Sequence, residues 1–438
     1  MMYKTLFTSV LLSVSSVLLS QNFNKEKLDT YFSTLEKNNK FSGSVAITQD
    51  NKLIYTRSVG YSDIENKIQN SDKTKYRIGS ISKTFTAVLI LKNFEEGKLK
   101  PDDKLSLFFP QIINADQITI SQLLQHRSGI HNITNDNSYM DYYQEPQSEA
   151  KLVDIITKAG SDFQPDSKYS YSNSGYILLT YILEKVNKKS YTELLKEKIT
   201  KPLGLNSTYV GKKINSQNNE AYSYSPGNKK SAETDMSIPI GAGAIVSKPN
   251  DIVKFSNALF NGTLLNKESL DKMITIRDGY GYGLFTTQFN DLKGFGHGGG
   301  IDDFSSLFAH YNVGNVSFAL GSNVSDGYGN NLIAKALLSA VYNKPYDIPE
   351  FKTYQADVND FVKYTGTYAS PSFPLKIVIT TDNTSLKAQA TGQSEFTLIP
   401  TDKNKFEFSQ AGINMEFYPD KKQFRLLQNG LDILFTKE

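Results

Sequence analysis

Near Pro345 the chain changes its pattern, and that change fixes its architecture more firmly than any single motif. Upstream, helical and strand-like periodicities alternate. From Phe361 onward only short strand-like runs follow, at regular spacing: 375–380, 386–390, 396–399, 405–409, 414–418, 424–428 and 431–435. Asn429-Gly430 between the last two runs is a strong hairpin signal, because both central residues of a type I′ turn need positive φ. The tail is therefore expected to form a small β-barrel or sandwich. At 438 residues the chain also exceeds what one hydrophobic core usually supports, so a large domain followed by a smaller one is expected.

In the upstream part, Leu28, Phe32 and Leu35 recur at helical spacing over 25–38, followed by strand-like runs at 42–48 and 53–59. Gln49-Asp50-Asn51-Lys52 would turn between those runs. Apolar positions Phe85, Val88, Leu89 and Leu91 predict a buried helix ending near Gly97. Further helices are expected over 176–186, over 191–199 ending before Pro202, and over 249–260 with Ser247 as N-cap. Strands are expected at 304–310 and 316–320, and a helix over 334–341. Strands at both ends with helices between them predict an α+β domain built on an antiparallel sheet flanked by helices.

Lys4 is the one charged residue among the first twenty, and the apolar stretch Leu6–Leu19 falls short of the roughly 20 residues that span a bilayer. Residues 1–20 therefore read as a signal peptide, which predicts a periplasmic or secreted protein. The expected division is 21–345 for the first domain, 346–360 for a linker and 361–438 for the β-domain. The chain has no cysteine, which excludes disulfides, thiolate metal sites and thiol nucleophiles. Its four histidines show no close metal spacing, so neither metal nor cofactor is expected. The net charge is +3 with Lys and Arg dispersed, which gives no nucleic-acid footprint and favours a small-molecule or peptide partner.

Three motifs bear chemistry. Ser80-Ile81-Ser82-Lys83 follows Gly79 at the mouth of the predicted buried helix, so the lysine amine lies one turn beyond the serine, where free backbone N–H groups favour an oxyanion. A desolvated lysine can take the serine proton. Ser148-Lys151 and Ser269-Lys272 share the spacing without that context. Tyr171-Ser172-Asn173 sits in a polar loop before a helix. A phenol beside a cation is expected to have a lowered pKa and to serve as a base. His297-Gly298-Gly299-Gly300 precedes a strand, and its glycines let a substrate approach a backbone N–H. Asp302 and Asp303 read as solvated loop carboxylates. No G-x-S-x-G occurs, so the α/β-hydrolase elbow is not the source of the serine.

Together with Arg77–Thr86, Leu123–Gly129, Tyr171–Tyr176, Pro202–Leu205 and Gly296–Gly299, these motifs resemble the serine β-lactamase and penicillin-binding superfamily, closest to its class C-like branch. That branch also holds D-aminopeptidases, D-Ala-D-Ala carboxypeptidases and esterases, and the strand-rich tail resembles the lipocalin-like β-domains of some of them. The resemblance implies a β-lactamase-like sheet with an all-helical part. It also implies acylation of Ser80, proton transfer shared by Lys83 and Tyr171, and orientation by Asn173. Gly300 and Ser80 N–H groups would form the oxyanion hole beside His297, Gly298 and Gly299. Lys-Thr-Gly and Lys-Ser-Gly, usual at the third motif of penicillin-recognising enzymes, are absent here. Peptide or ester hydrolysis is therefore expected ahead of β-lactam hydrolysis or binding, with a catalytically silent binding protein as the other alternative.

Overall fold

The computed structural model describes residues 23–438 except 326–327, 352–353, 409–410 and 429–430. The predicted signal peptide and the Asn429-Gly430 turn lie outside those residues. Six strands form one antiparallel sheet: β1 (Gly43–Gln49), β2 (Lys52–Val59), β3 (Phe285–Phe289), β4 (Leu292–Ile301), β5 (Phe304–Tyr311) and β6 (Val316–Ser322), in the order β3-β4-β5-β6-β1-β2. Chain-distant strands meet at its centre, where Val45 pairs with Leu320. Asp50 and Asn51 both have positive φ in the β1–β2 turn, as a tight hairpin requires.

Strand alternation divides the core. Val45 and Ile47 face a layer made with α1 (Lys25–Lys37) and α6 (Asn330–Val341), where Leu28, Phe32 and Leu337 are fully buried. Ala46, Phe308 and Ala319 face the larger helical part, which contains α2 (Ser82–Glu95), α3 (Glu149–Ala159), α4 (Asn173–Asn187) and α5 (Pro249–Phe260). Every residue of α2 from Ser82 to Leu91 is buried, so this helix is the axis of the domain rather than an amphipathic surface helix. Phe85 of α2 stacks on Phe255 of α5 with ring centroids 3.8 Å apart. Burying each such ring contributes roughly 1.5–3 kcal/mol.

The tail is a closed antiparallel barrel of eight strands, 366–437, with its own core around Phe406, Phe417, Phe424 and Phe435. Seven of these strands match the expected runs, and the additional strand Gly366–Ser370 carries little alternation signal in its mostly small residues. Residues 358–363 form a 3-10 turn before the first strand. Two other details differ from expectation. The helical run beginning at Tyr191 passes through a π-turn at 196–200 and continues over Pro202 to Leu203, because a proline early in a new helical turn lacks no needed donor. Ser247 lies in a short strand bonded to Thr208, and Lys248 occupies the N-cap of α5.

Candidate active site

Ser80 sits in a 3-10 turn, Gly79–Ile81, that leads into α2. Gly79 has φ +50°, and a Cβ there would lie 2.7 Å from the backbone N of Gly300, so the turn presses directly against β4. Ser80 is partly exposed, whereas Ser82 is fully buried and accepts the backbone N–H of Ile245 at 3.0 Å. Of the two serines in the motif, only Ser80 is free to meet a substrate.

Lys83 is completely buried. Its Nζ lies 3.1 Å from Ser80 Oγ, 2.7 Å from Asn173 Oδ1 and 2.8 Å from the carbonyl oxygen of Ala242. None of these partners is charged, and burial holds the amine well below the usual lysine pKa. A neutral amine has two N–H bonds and one lone pair. The two carbonyl-type oxygens take the N–H groups, which turns the lone pair toward the Ser80 hydroxyl.

Asn173 opens α4. Its Nδ2 donates to Thr134 Oγ1 at 2.8 Å, and its backbone N–H donates to Asn132 Oδ1 at 2.9 Å, which fixes which amide atom faces Lys83. The turn Ile240–Gly243 supplies the Ala242 carbonyl and packs tightly on α4, since a Cβ on Gly241 would lie 1.9 Å from Thr180 Oγ1. Residue type carries no signal for a backbone acceptor, so Ala242 was invisible in the sequence. Asn132 and Thr134 were equally silent.

Tyr171 stands over Lys83, with Nζ 4.8 Å from its ring centroid, and the Ser80 side chain favours the ionised form of its hydroxyl. Here the structure corrects an expectation. Burial raises the Tyr171 pKa and the Ser80 side chain lowers it only in part, so the phenol is protonated at neutral pH. The anticipated cation does not depress it, because burial holds the Lys83 amine well below its usual pKa and disfavours the charged form.

His297, Gly298, Gly299 and Gly300 precede β5 as expected and themselves lie inside β4. His297 Nδ1 donates to the Gly298 carbonyl at 2.5 Å and Nε2 accepts from the Tyr280 hydroxyl at 3.0 Å, so both ring nitrogens are occupied by the protein. Burial lowers its pKa to about 3, which keeps it neutral. Gly299 faces the segment before Ser80, where a Cβ would lie 2.0 Å from the Ile78 carbonyl oxygen. Gly298 points the other way, with nothing closer than 3.7 Å.

The competing Ser-x-x-Lys matches resolve as ordinary helix chemistry. Ser148 caps α3 by accepting the Lys151 N–H, and Ser269 and Lys272 lie within the helix Lys267–Met273. Asp302 is not solvated as the sequence suggested but is buried against Arg77. Among the described residues no cluster of three or more metal-ligating side chains occurs, and no helix is long and apolar enough to cross a membrane.

The sequence model of the family described as Beta-lactamase matches residues 28–341. Penicillin-binding protein 4* of Bacillus subtilis (strain 168) is 27% identical over 93% of this chain and 97% of its own length. The teichoic acid D-alanine hydrolase of Staphylococcus aureus (strain MRSA252) is 28% identical over 74% of this chain and 79% of its own. Among solved structures, D-amino acid amidase from Ochrobactrum anthropi SV3, in complex with L-phenylalanine amide, superposes with a TM-score of 0.64 at 25% identity, covering 73% of this chain and 99% of that one.

Proposed function

As a member of the β-lactamase family, the chain is a serine hydrolase of that fold, and we propose that it is exported and acts through a Ser80 acyl-enzyme on D-amino-acid-containing peptides or small esters. The carrying observation is the set of three neutral partners around the buried Lys83 amine: Asn173 Oδ1 and the Ala242 carbonyl accept its two N–H groups, which leaves its lone pair for the Ser80 hydroxyl. Ser80 Oγ bonds to the substrate carbonyl carbon as its proton passes to Lys83 Nζ. Backbone N–H groups of Ser80 and Gly300 receive the oxyanion. When the bond to the leaving amine or alcohol breaks, Lys83 returns the proton to that group through the protonated Tyr171 hydroxyl. Water then repeats the sequence in reverse order and frees Ser80.

Support for a D-amino-acid substrate class comes from the relatives, a D-alanine hydrolase and a D-amino acid amidase by name. Support for ranking β-lactams lower comes from β4. There His297 is neutral and its ring nitrogens are engaged, so the third motif supplies no fixed cation for a β-lactam carboxylate. In this reading residues 1–20 direct export, 21–345 form the catalytic domain, 346–360 link it to the barrel, and 361–438 form the barrel domain.

The test is covalent labelling of the mature protein by a fluorophosphonate, compared with Ser80→Ala, beside a panel of D-amino-acid amides, D-Ala-D-Ala peptides, nitrophenyl esters and a cephalosporin. Label on the wild type alone, with turnover of amides, peptides or esters, is the expected result. Label on neither protein would indicate a silent binder. Fast cephalosporin turnover would reverse the substrate ranking.

A further inference from the structure

We propose that His126 is a positioning residue that holds the Tyr171 hydroxyl over Ser80, by gripping the backbone on both sides of Tyr171 and packing against its ring. This rests on the acyl-enzyme reading above and adds a component to it. His126 has φ +57°, a backbone conformation that costs a non-glycine residue energy and persists where surrounding structure demands it. In that conformation its carbonyl oxygen accepts the N–H of Ser170 at 3.0 Å while its Nδ1 accepts the N–H of Ser172 at 3.2 Å. One residue thus fixes both neighbours of Tyr171. Its ring centroid lies 4.2 Å from that of Tyr171 and 4.6 Å from that of Tyr280, whose hydroxyl in turn bonds His297.

The bonding also fixes the tautomer. Because Nδ1 accepts, Nε2 carries the proton, and Nε2 is a buried atom with no hydrogen-bond partner, facing aromatic rings. A structural histidine would be expected to use both nitrogens. Here one is given up to keep a flat, uncharged, dry wall against Tyr171. The titratable groups around it are Lys83, Tyr169, Tyr171, Tyr176, Tyr280 and His297, and a charge on the imidazole would be opposed by burial.

Two substitutions separate the two functions. His126→Asn keeps an acceptor for the Ser172 N–H but removes the wall. His126→Phe keeps the wall but orphans that N–H. With a nitrophenyl ester, His126→Asn is expected to lower kcat at least ten-fold, with KM changed less than three-fold. It should also move the acid limb of the pH profile upward, because water reaching Tyr171 also reaches Lys83. His126→Phe is expected to lower kcat without moving that limb. Both variants keeping kcat within two-fold of wild type, with superimposable pH profiles, would overturn the inference, as would equal effects on kcat and pH limb from both.

If neither variant folds, histidine 15N NMR of the wild type decides the matter. A protonated Nε2 and bare Nδ1 on His126, whose shifts move when Ser80 is phosphonylated, are expected. A protonated Nδ1, or shifts indifferent to Ser80, would overturn it. Wild type that neither labels nor turns over substrate would instead defeat the acyl-enzyme reading itself.

Discussion

Arg77 and Asp302 form a buried ion pair, 2% and 3% exposed, that ties the strand entering the Ser80 turn to the residue just past β4. Arg77 lies three residues before Ser80, and Asp302 lies two residues after Gly300. Arg77 also donates to the Thr234 carbonyl and to Glu233, both at 2.9 Å, and Asp302 accepts the Thr234 N–H at 3.0 Å. The two backbone segments expected to bind an oxyanion are therefore clamped together by a buried ion pair.

Removing the Asp302 charge leaves buried Arg77 with Glu233 as its remaining carboxylate partner. Asp302→Asn is expected to cost about 1–3 kcal/mol, read as a shift in the urea midpoint. The surviving folded fraction should label more slowly with fluorophosphonate than wild type, because the spacing between Ser80 and Gly300 is no longer held.

Two adjacent glycines of β4, Gly298 and Gly299, make a contrast at almost no chemical distance. Gly299→Ala drives a methyl group against the Ile78 carbonyl and should cost about 1–3 kcal/mol or more, with loss of activity. Gly298→Ala meets only an ordinary van der Waals contact, with the Ser306 carbonyl oxygen at 3.7 Å, and should leave the thermal midpoint within a degree or two of wild type. Thermal melts of the two variants side by side check this.

Activity should follow the free base of Lys83. The amine must be neutral to take the Ser80 proton, so kcat/KM falls about ten-fold per pH unit below its lowered pKa and is flat above it until another group titrates. Asn173→Asp would place a carboxylate beside Nζ and favour the ammonium. The acid limb should then move to higher pH, with a loss of at least ten-fold at pH 7, measurable in a pH–rate profile.

Acid should unfold this protein through its histidines before its carboxylates. Burial lowers His126 well below the usual value, His297 to about 3 and His310 to about 4, so in the folded state all three stay neutral where the unfolded chain protonates them. Stability is thus unaffected above about pH 6.5 and falls as pH drops below it, by up to about 1.4 kcal/mol per pH unit for each such histidine. His131 has the opposite sign, because Asp162 and Asp136 raise its pKa. Its contribution is complete below about pH 6.5 and fades as pH rises through its folded value, so it does not offset the acid slope. Urea midpoints between pH 7 and pH 5 should fall steadily, and His310→Gln should flatten the slope by one proton.

Local pattern alone determined much of this protein. The periodicity of α1, the β1–β2 hairpin and the strand-only tail were legible because each depends on residues within a few positions of one another. The candidate residues Ser80, Lys83, Tyr171 and Asn173 were legible because their types and order are the chemistry. Tertiary structure decided the rest, because burial and approach belong to whole surroundings rather than to a residue. It selected Ser80 over Ser82 by giving Ser82 a backbone partner. It pushed the Lys83 pKa down by burying the amine with neutral oxygens as its partners, one of them the Ala242 carbonyl that no side chain announces. It also kept Tyr171 protonated where its sequence neighbours suggested ionisation. Asp302 read as solvent-facing until the fold brought Arg77 to it from 225 residues away, a meeting that only the packing of the sheet on the helical part arranges.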